Sequence, residues 1–177
     1  MAYSNTVNQG ATSSQQDATR RISNMEQASI DSLPYIETFC KHYNIKLEAT
    51  EGKPIDFKGV DYILTFEGKE PTYCSFRLIR GSSKKFYIRY CGHDSGVGEA
   101  QKIISGKNIS SVYITLEQPT NTLRVYRMAD IKGWLSSPGR TINTGSDGSK
   151  YYAIPFSELN PIREFVVIPS KGYVKAV

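Results

Sequence analysis

The sequence predicts a single mixed α/β (or α+β) domain, ordered helix, three-stranded antiparallel meander, helix, further strands. Three observations point there. The chain has 177 residues, 39% of them apolar, enough for one core. Apolar residues recur at helical spacing before Asn44 and with a period of two after Ile55. Two short links, Glu67-Gly68-Lys69 and Gly81-Ser82-Ser83, separate three alternating stretches as hairpin turns do.

Residues 1–20 are mostly Ser, Thr, Asn, Gln, Gly and Ala, too polar to offset the entropy of ordering, and read as a flexible arm. The domain is expected over 21–177. Ser32-Leu33-Pro34 reads as a helix start, because proline is tolerated in a first turn, with Ile22, Met25 and Ile30 suggesting an earlier turn or two. Ile36, Phe39, Cys40 and Tyr43 then form one apolar stripe. Val60, Tyr62, Leu64 and Phe66 alternate as a strand, followed by strands at Thr72–Arg80 and Lys85–Cys91 that complete the meander. Glu99–Ser105 reads as a short helix, Val112–Glu117 and Leu123–Met128 as strands, and Ala129–Leu135 as a helix carrying the only tryptophan, Trp134. Tyr151–Phe156 is expected as the last strand, with a helical turn at Ser157–Leu159.

No run approaches the ~18 apolar residues that span a bilayer, and the N-terminus lacks the pattern of a secretory signal. Three cysteines do not make a disulfide framework. The expectation is an intracellular, cytoplasmic protein (host cytoplasm if viral) without a membrane partner.

Net charge is +5, and its distribution is informative. Pro71–His93 contains Arg77, Arg80, Lys84, Lys85 and Arg89 and no carboxylate, interleaved with Tyr73, Phe76, Phe86, Tyr87 and Tyr90. Cations offset phosphate repulsion and aromatic faces stack on bases, so this stretch reads as a nucleic-acid contact; a solvated sheet face over an aromatic core is the alternative. Arg124, Arg127, Lys132 and Arg140 either extend the basic surface around Trp134 or are ordinary exposed cations. Asp61 sits among apolar strand residues, where a carboxylate is costly unless solvated, paired or metal-bound.

Joined together, Gly59-Val60-Asp61-Tyr62-Ile63-Leu64, Cys74-Ser75-Phe76-Arg77, the strand Phe86–Tyr90 and the helix beginning Gly98-Glu99 resemble the core of PD-(D/E)XK nucleases. That superfamily has a helix, a three-stranded meander, a helix and another strand. Its first acid lies at the start of the second core strand, and an E-x-K or Q-x-K triplet lies on the next. The resemblance implies magnesium-dependent cleavage of DNA. It places Asp61 at the first acid and metal ligand, Ser75 at the second acid and Arg77 at the lysine, with Glu37 or Glu99 as substitute helix acids. Two departures bear on chemistry: serine is a weak magnesium ligand, and arginine cannot act as a base. The expected function is therefore nucleic-acid binding on a nuclease-like core, with cleavage kept, impaired or lost. DNA is the expected partner, with RNA or an acidic protein surface as alternatives, and a homodimer stays open. A non-catalytic interaction protein, such as a virus-encoded or mobile-element accessory factor, is the second reading.

Two further patterns carry less. Cys40-Lys41-His42 and Cys91-Gly92-His93 hold ligand types for zinc but match no common zinc spacing. The Gly92–Gly98 loop lacks the lysine of a phosphate-binding loop.

Overall fold

The structure, a computed structural model, describes residues 13–91, 97–146 and 148–177, with side chains from residue 26. Helix α1 (Ser13–His42) opens the described chain. Residues 13–20 of the expected arm are thus helical, and the remainder of the arm lies outside the described residues. No new helix starts at Ser32: Pro34 lies inside α1. Ser32, Ile36, Phe39 and Cys40 form its buried stripe, while Ile30 faces solvent. The helix ends where its stripe does. Asn44 takes a left-handed conformation (φ 52°), and the Ile45 N–H bonds back to the Cys40 carbonyl at 2.8 Å, satisfying an end carbonyl.

Strands β1 (Lys46–Ala49), β2 (Tyr62–Thr65) and β3 (Thr72–Ile79) form an antiparallel meander. The chain then leaves this sheet through β4 (Lys85–Cys91) and α2 (Glu99–Ile104), and returns as β5 (Val112–Glu117), parallel to β3. Next come β6 (Thr122–Arg127), α3 (Met128–Ser136), β7 (Asn143–Thr144), β8 (Lys150–Pro155), β9 (Arg163–Ile168) and β10 (Tyr173–Ala176). The main sheet is mixed, in the order β1-β2-β3-β5-β6-β9-β10; a second antiparallel sheet has the order β4-β8-β7.

The expected meander therefore shifts by one strand. Strand β1 is added before it, and Lys85–Cys91 belongs to the other sheet, because β5 occupies the edge of β3 that β4 would need. Tyr151–Phe156 is not the last strand, since β9 and β10 follow and pair beside β6.

Alternation along the strands separates two cores. Tyr62, Leu64, Cys74 and Ile114 face α1 with Ile36, Phe39 and Phe165. On the opposite side, Ile79, Tyr113 and Tyr126 pack against Phe86 and Ile88 of β4, Tyr152 and Ile154 of β8, and α2 and α3. The site described next lies on this second side. Among the described residues, no helix is long and apolar enough to cross a membrane.

Candidate functional site

Asp61 stands immediately before β2. Its N–H donates to the Cys74 carbonyl at 2.8 Å, so the ladder already reaches it, and the Phe76 N–H donates to its Oδ2 at 2.6 Å. Two residues along β3 from Ser75, Arg77 forms an ion pair with Glu99, the first residue of α2. Tyr113, beside Ser75 on the parallel strand β5, donates from its hydroxyl to Glu99 Oε1 at 2.9 Å. Helix α2 can approach this closely because Gly98 has no side chain: a Cβ there would overlap the Tyr90 carbonyl of β4. The Gly98 N–H donates to the Gln101 side chain at 3.1 Å, closing the first turn.

Asp61 lies near enough to the Arg77–Glu99 pair to feel both charges, and Tyr113 is bonded to Glu99. Burial pushes the Asp61 carboxyl up to about 7; the Phe76 N–H opposes this shift, the Glu99 charge adds to it and Arg77 lowers it. The Glu99 charge holds Arg77 protonated well above its ordinary range. Arg77 keeps 38% side-chain exposure, yet its Nε is buried and has no hydrogen-bond partner among the described residues. Burial raises the Tyr113 hydroxyl, so it remains a neutral donor.

Ser75 does not join this group. It is buried, donates to the Gly59 carbonyl at 2.6 Å, and accepts from Asn108 Nδ2 at 3.1 Å; Ser110 donates to the same carbonyl at 3.0 Å. Gly59 takes φ 80°, and an added Cβ would collide with the Asn108 amide. The serine at the expected acid position ties down the loop entering β2. Glu37 is also elsewhere. It is exposed on α1, across the main sheet from Arg77, and its charge is felt by Cys40 and Tyr62 of the α1-side core.

The expected nucleic-acid contacts divide. Lys85, Tyr87 and Arg89 alternate with fully buried Phe86 and Ile88, so they occupy the outer face of β4, where Tyr87 meets Tyr151 edge-on at 5.3 Å. Lys84 and Arg127 are exposed. Arg80 is bound by Asp31 of α1 at 2.8 Å. Arg124 is 14% exposed and held by Glu117 at 2.8 Å and Glu164 at 3.3 Å, over the Phe156 ring. It braces strands and is not free to meet a ligand. Trp134 belongs to the core, its Nε1 donating to Glu158 at 3.0 Å, and Arg140 stacks on it while pairing with the same glutamate.

Of the zinc-type ligands, Cys40 is buried in the α1-side core, where burial pushes its thiol up to about 11, His42 is exposed at the end of α1, Cys91 is half-buried at the end of β4, and His93 lies outside the described residues. Among the described residues, no three His, Cys, Asp or Glu side chains gather as a metal site. Tyr113 was not visible as a site residue in the sequence, because only the parallel β3–β5 pairing brings it to Glu99.

No protein-family model, curated protein or solved structure matches this chain.

Proposed function

We propose that this chain is a non-cleaving nucleic-acid-binding protein built on a PD-(D/E)XK-like core, with its contact surface on the outer face of the second sheet. The observation that carries the reading is the alternation in β4. Phe86 and Ile88 anchor the strand, while Lys85, Tyr87 and Arg89 stand on the open side beside Tyr151. Cations beside exposed aromatic rings are what a phosphate backbone and its bases require.

The order α1, β1-β2-β3, α2, β5, with β4 of the second sheet inserted before α2, supports the likeness, as does Asp61 just before the second strand with Arg77 on the third. The donor set does not fit magnesium. Asp61 Oδ2 is held by the Phe76 N–H, and both Glu99 oxygens are held, one by Tyr113 and one by Arg77. A guanidinium paired to Glu99 opposes a cation there, and burial favours the neutral form of the Asp61 carboxyl over the charged form a cation needs. Ser75 adds no charge.

Fluorescence anisotropy with labelled DNA over a salt series tests the reading, beside plasmid nicking with magnesium, manganese or EDTA. Wild type is expected to bind with affinity that falls steeply with salt. Lys85→Ala with Arg89→Ala should flatten the log–log salt slope by about 1.4–1.8. No metal-dependent nicking is expected. Absence of wild-type binding would overturn the contact surface, and nicking that disappears in Asp61→Ala would overturn the loss of cleavage.

A further inference from the structure

Beside the Asp61 cluster runs an open groove of about 500 Å³ whose chemistry the second-sheet surface does not use. It is lined by Phe57 and Lys58, in a 3₁₀ turn (Asp56–Lys58), with Lys102 of α2, Lys107, Ile109 and Val97. Phe57 is 75% exposed, Val97 59% and Ile109 41%, an unusual gathering of exposed apolar side chains. Three lysines and no carboxylate line it among the described residues.

The groove is built into the fold. The Ile109 N–H donates to the Lys58 carbonyl at 3.1 Å and Lys102 Nζ to the Phe57 carbonyl at 3.1 Å. Gly59, the next residue, is clamped by Ser75 and Ser110. Phe57 is thus presented on a fixed backbone, its ring outward. Nearby Asp56 is not part of the lining, and its Oδ2 accepts from the Gly52 N–H at 3.3 Å. Helix α2 links the two places, with Glu99 in the ion-paired cluster and Lys102 in the groove.

We infer that this groove holds a single-stranded segment of nucleic acid, one base stacked on Phe57 and its flanking phosphates against Lys58 and Lys107. The charge of the lining selects a polyanion, and an outward aromatic ring on a fixed backbone among lysines selects one with flat, unpaired bases. This rests on the nucleic-acid reading and adds a second contact at a separate place on the molecule.

Anisotropy with a labelled oligothymidine and a duplex of equal length tests it on the full chain. Phe57→Ala should weaken single-strand binding about tenfold and duplex binding less, and Phe57→Trp should preserve both. Lys107→Ala should flatten the single-strand salt slope by about 0.7. Phe57 is largely exposed, so thermal melts of its variants should match wild type. Unchanged affinity in Phe57→Ala and Lys107→Ala, with loss in Lys85→Ala plus Arg89→Ala, would overturn the groove and leave the second-sheet surface standing. Loss in the groove variants alone would support the groove and remove that surface. A wild type that binds phosphatidylserine vesicles and no oligonucleotide would overturn both.

Discussion

Replacing Ser75 by alanine separates a structural serine from a remnant of a catalytic acid. Ser75 is 1% exposed; its hydroxyl donates to the Gly59 carbonyl at 2.6 Å and accepts from Asn108 Nδ2 at 3.1 Å. Its removal leaves the carbonyl with Ser110 but takes away the acceptor facing the Asn108 amide. One lost buried hydrogen bond costs about 1 kcal/mol, and a donor left short of a partner about 1–2 more. The expected loss is about 2–3 kcal/mol, or roughly 5–10 °C in Tm for a chain of this size. Urea unfolding gives the free energy and a thermal melt the Tm. Ser75→Glu should cost more, because a carboxylate would be forced among groups already satisfied by a hydroxyl. A Ser75→Ala variant within about 0.5 kcal/mol of wild type would refute the reasoning, as would a well-folded Ser75→Glu variant that gains metal-dependent nicking.

Two further outcomes follow from the same geometry. The Asp61 carboxyl, near 7 in the folded chain, lies above the value near 4 of an unfolded one, so the native state keeps a proton the unfolded chain releases. Its contribution is full below about pH 4 and is lost as pH rises through about 7. Asp61→Asn, which still offers an acceptor to the Phe76 N–H, should stabilise the protein at pH 8, by about 4 kcal/mol at most, and flatten its pH profile. Urea midpoints from pH 4 to 8 check this, and an unchanged profile counts against it. Arg124→Ala should cost about 3 kcal/mol by leaving Glu117, 5% exposed, without its cation, and should not alter the salt slope of oligonucleotide binding. A changed slope without loss of stability would return Arg124 to the contact surface.

Elements whose periodicity and ends are both marked in the sequence appear where expected. Helix α2, strands β5 and β6, and helix α3 differ from the reading by one residue at most. What could not be read is pairing. A Gly-Ser-Ser link suits a hairpin, yet it also lets a strand leave its sheet, and the burial of Phe86 and Ile88 between two sheets decides the outcome. Strand β1 escaped notice because it is four residues long and mostly exposed, without an alternating apolar signal. The convergence of Glu99 with Arg77 was only one of two alternatives, since Glu37 offered the same chemistry from a helix that packs on the other face.

The acid-free run from Pro71 to His93 illustrates why local charge overstates free charge. Its cations meet carboxylates from distant parts of the chain: Glu99, 22 residues away, takes Arg77, and Asp31, 49 residues away, takes Arg80. The run also divides between two sheets, so that Lys84, Lys85 and Arg89 act apart from Arg77. The converse holds for the groove around Phe57. Lys58, Lys102 and Lys107 come from separate elements, and Asp56 and Glu99 lie close to two of them in sequence, so the three do not form one basic run. Only folding takes Glu99 to an arginine and gathers the three lysines around an exposed ring. A field that could guide a polyanion is therefore set by which charges the fold neutralises, and in this chain the sequence run and the spatial cluster point to different surfaces.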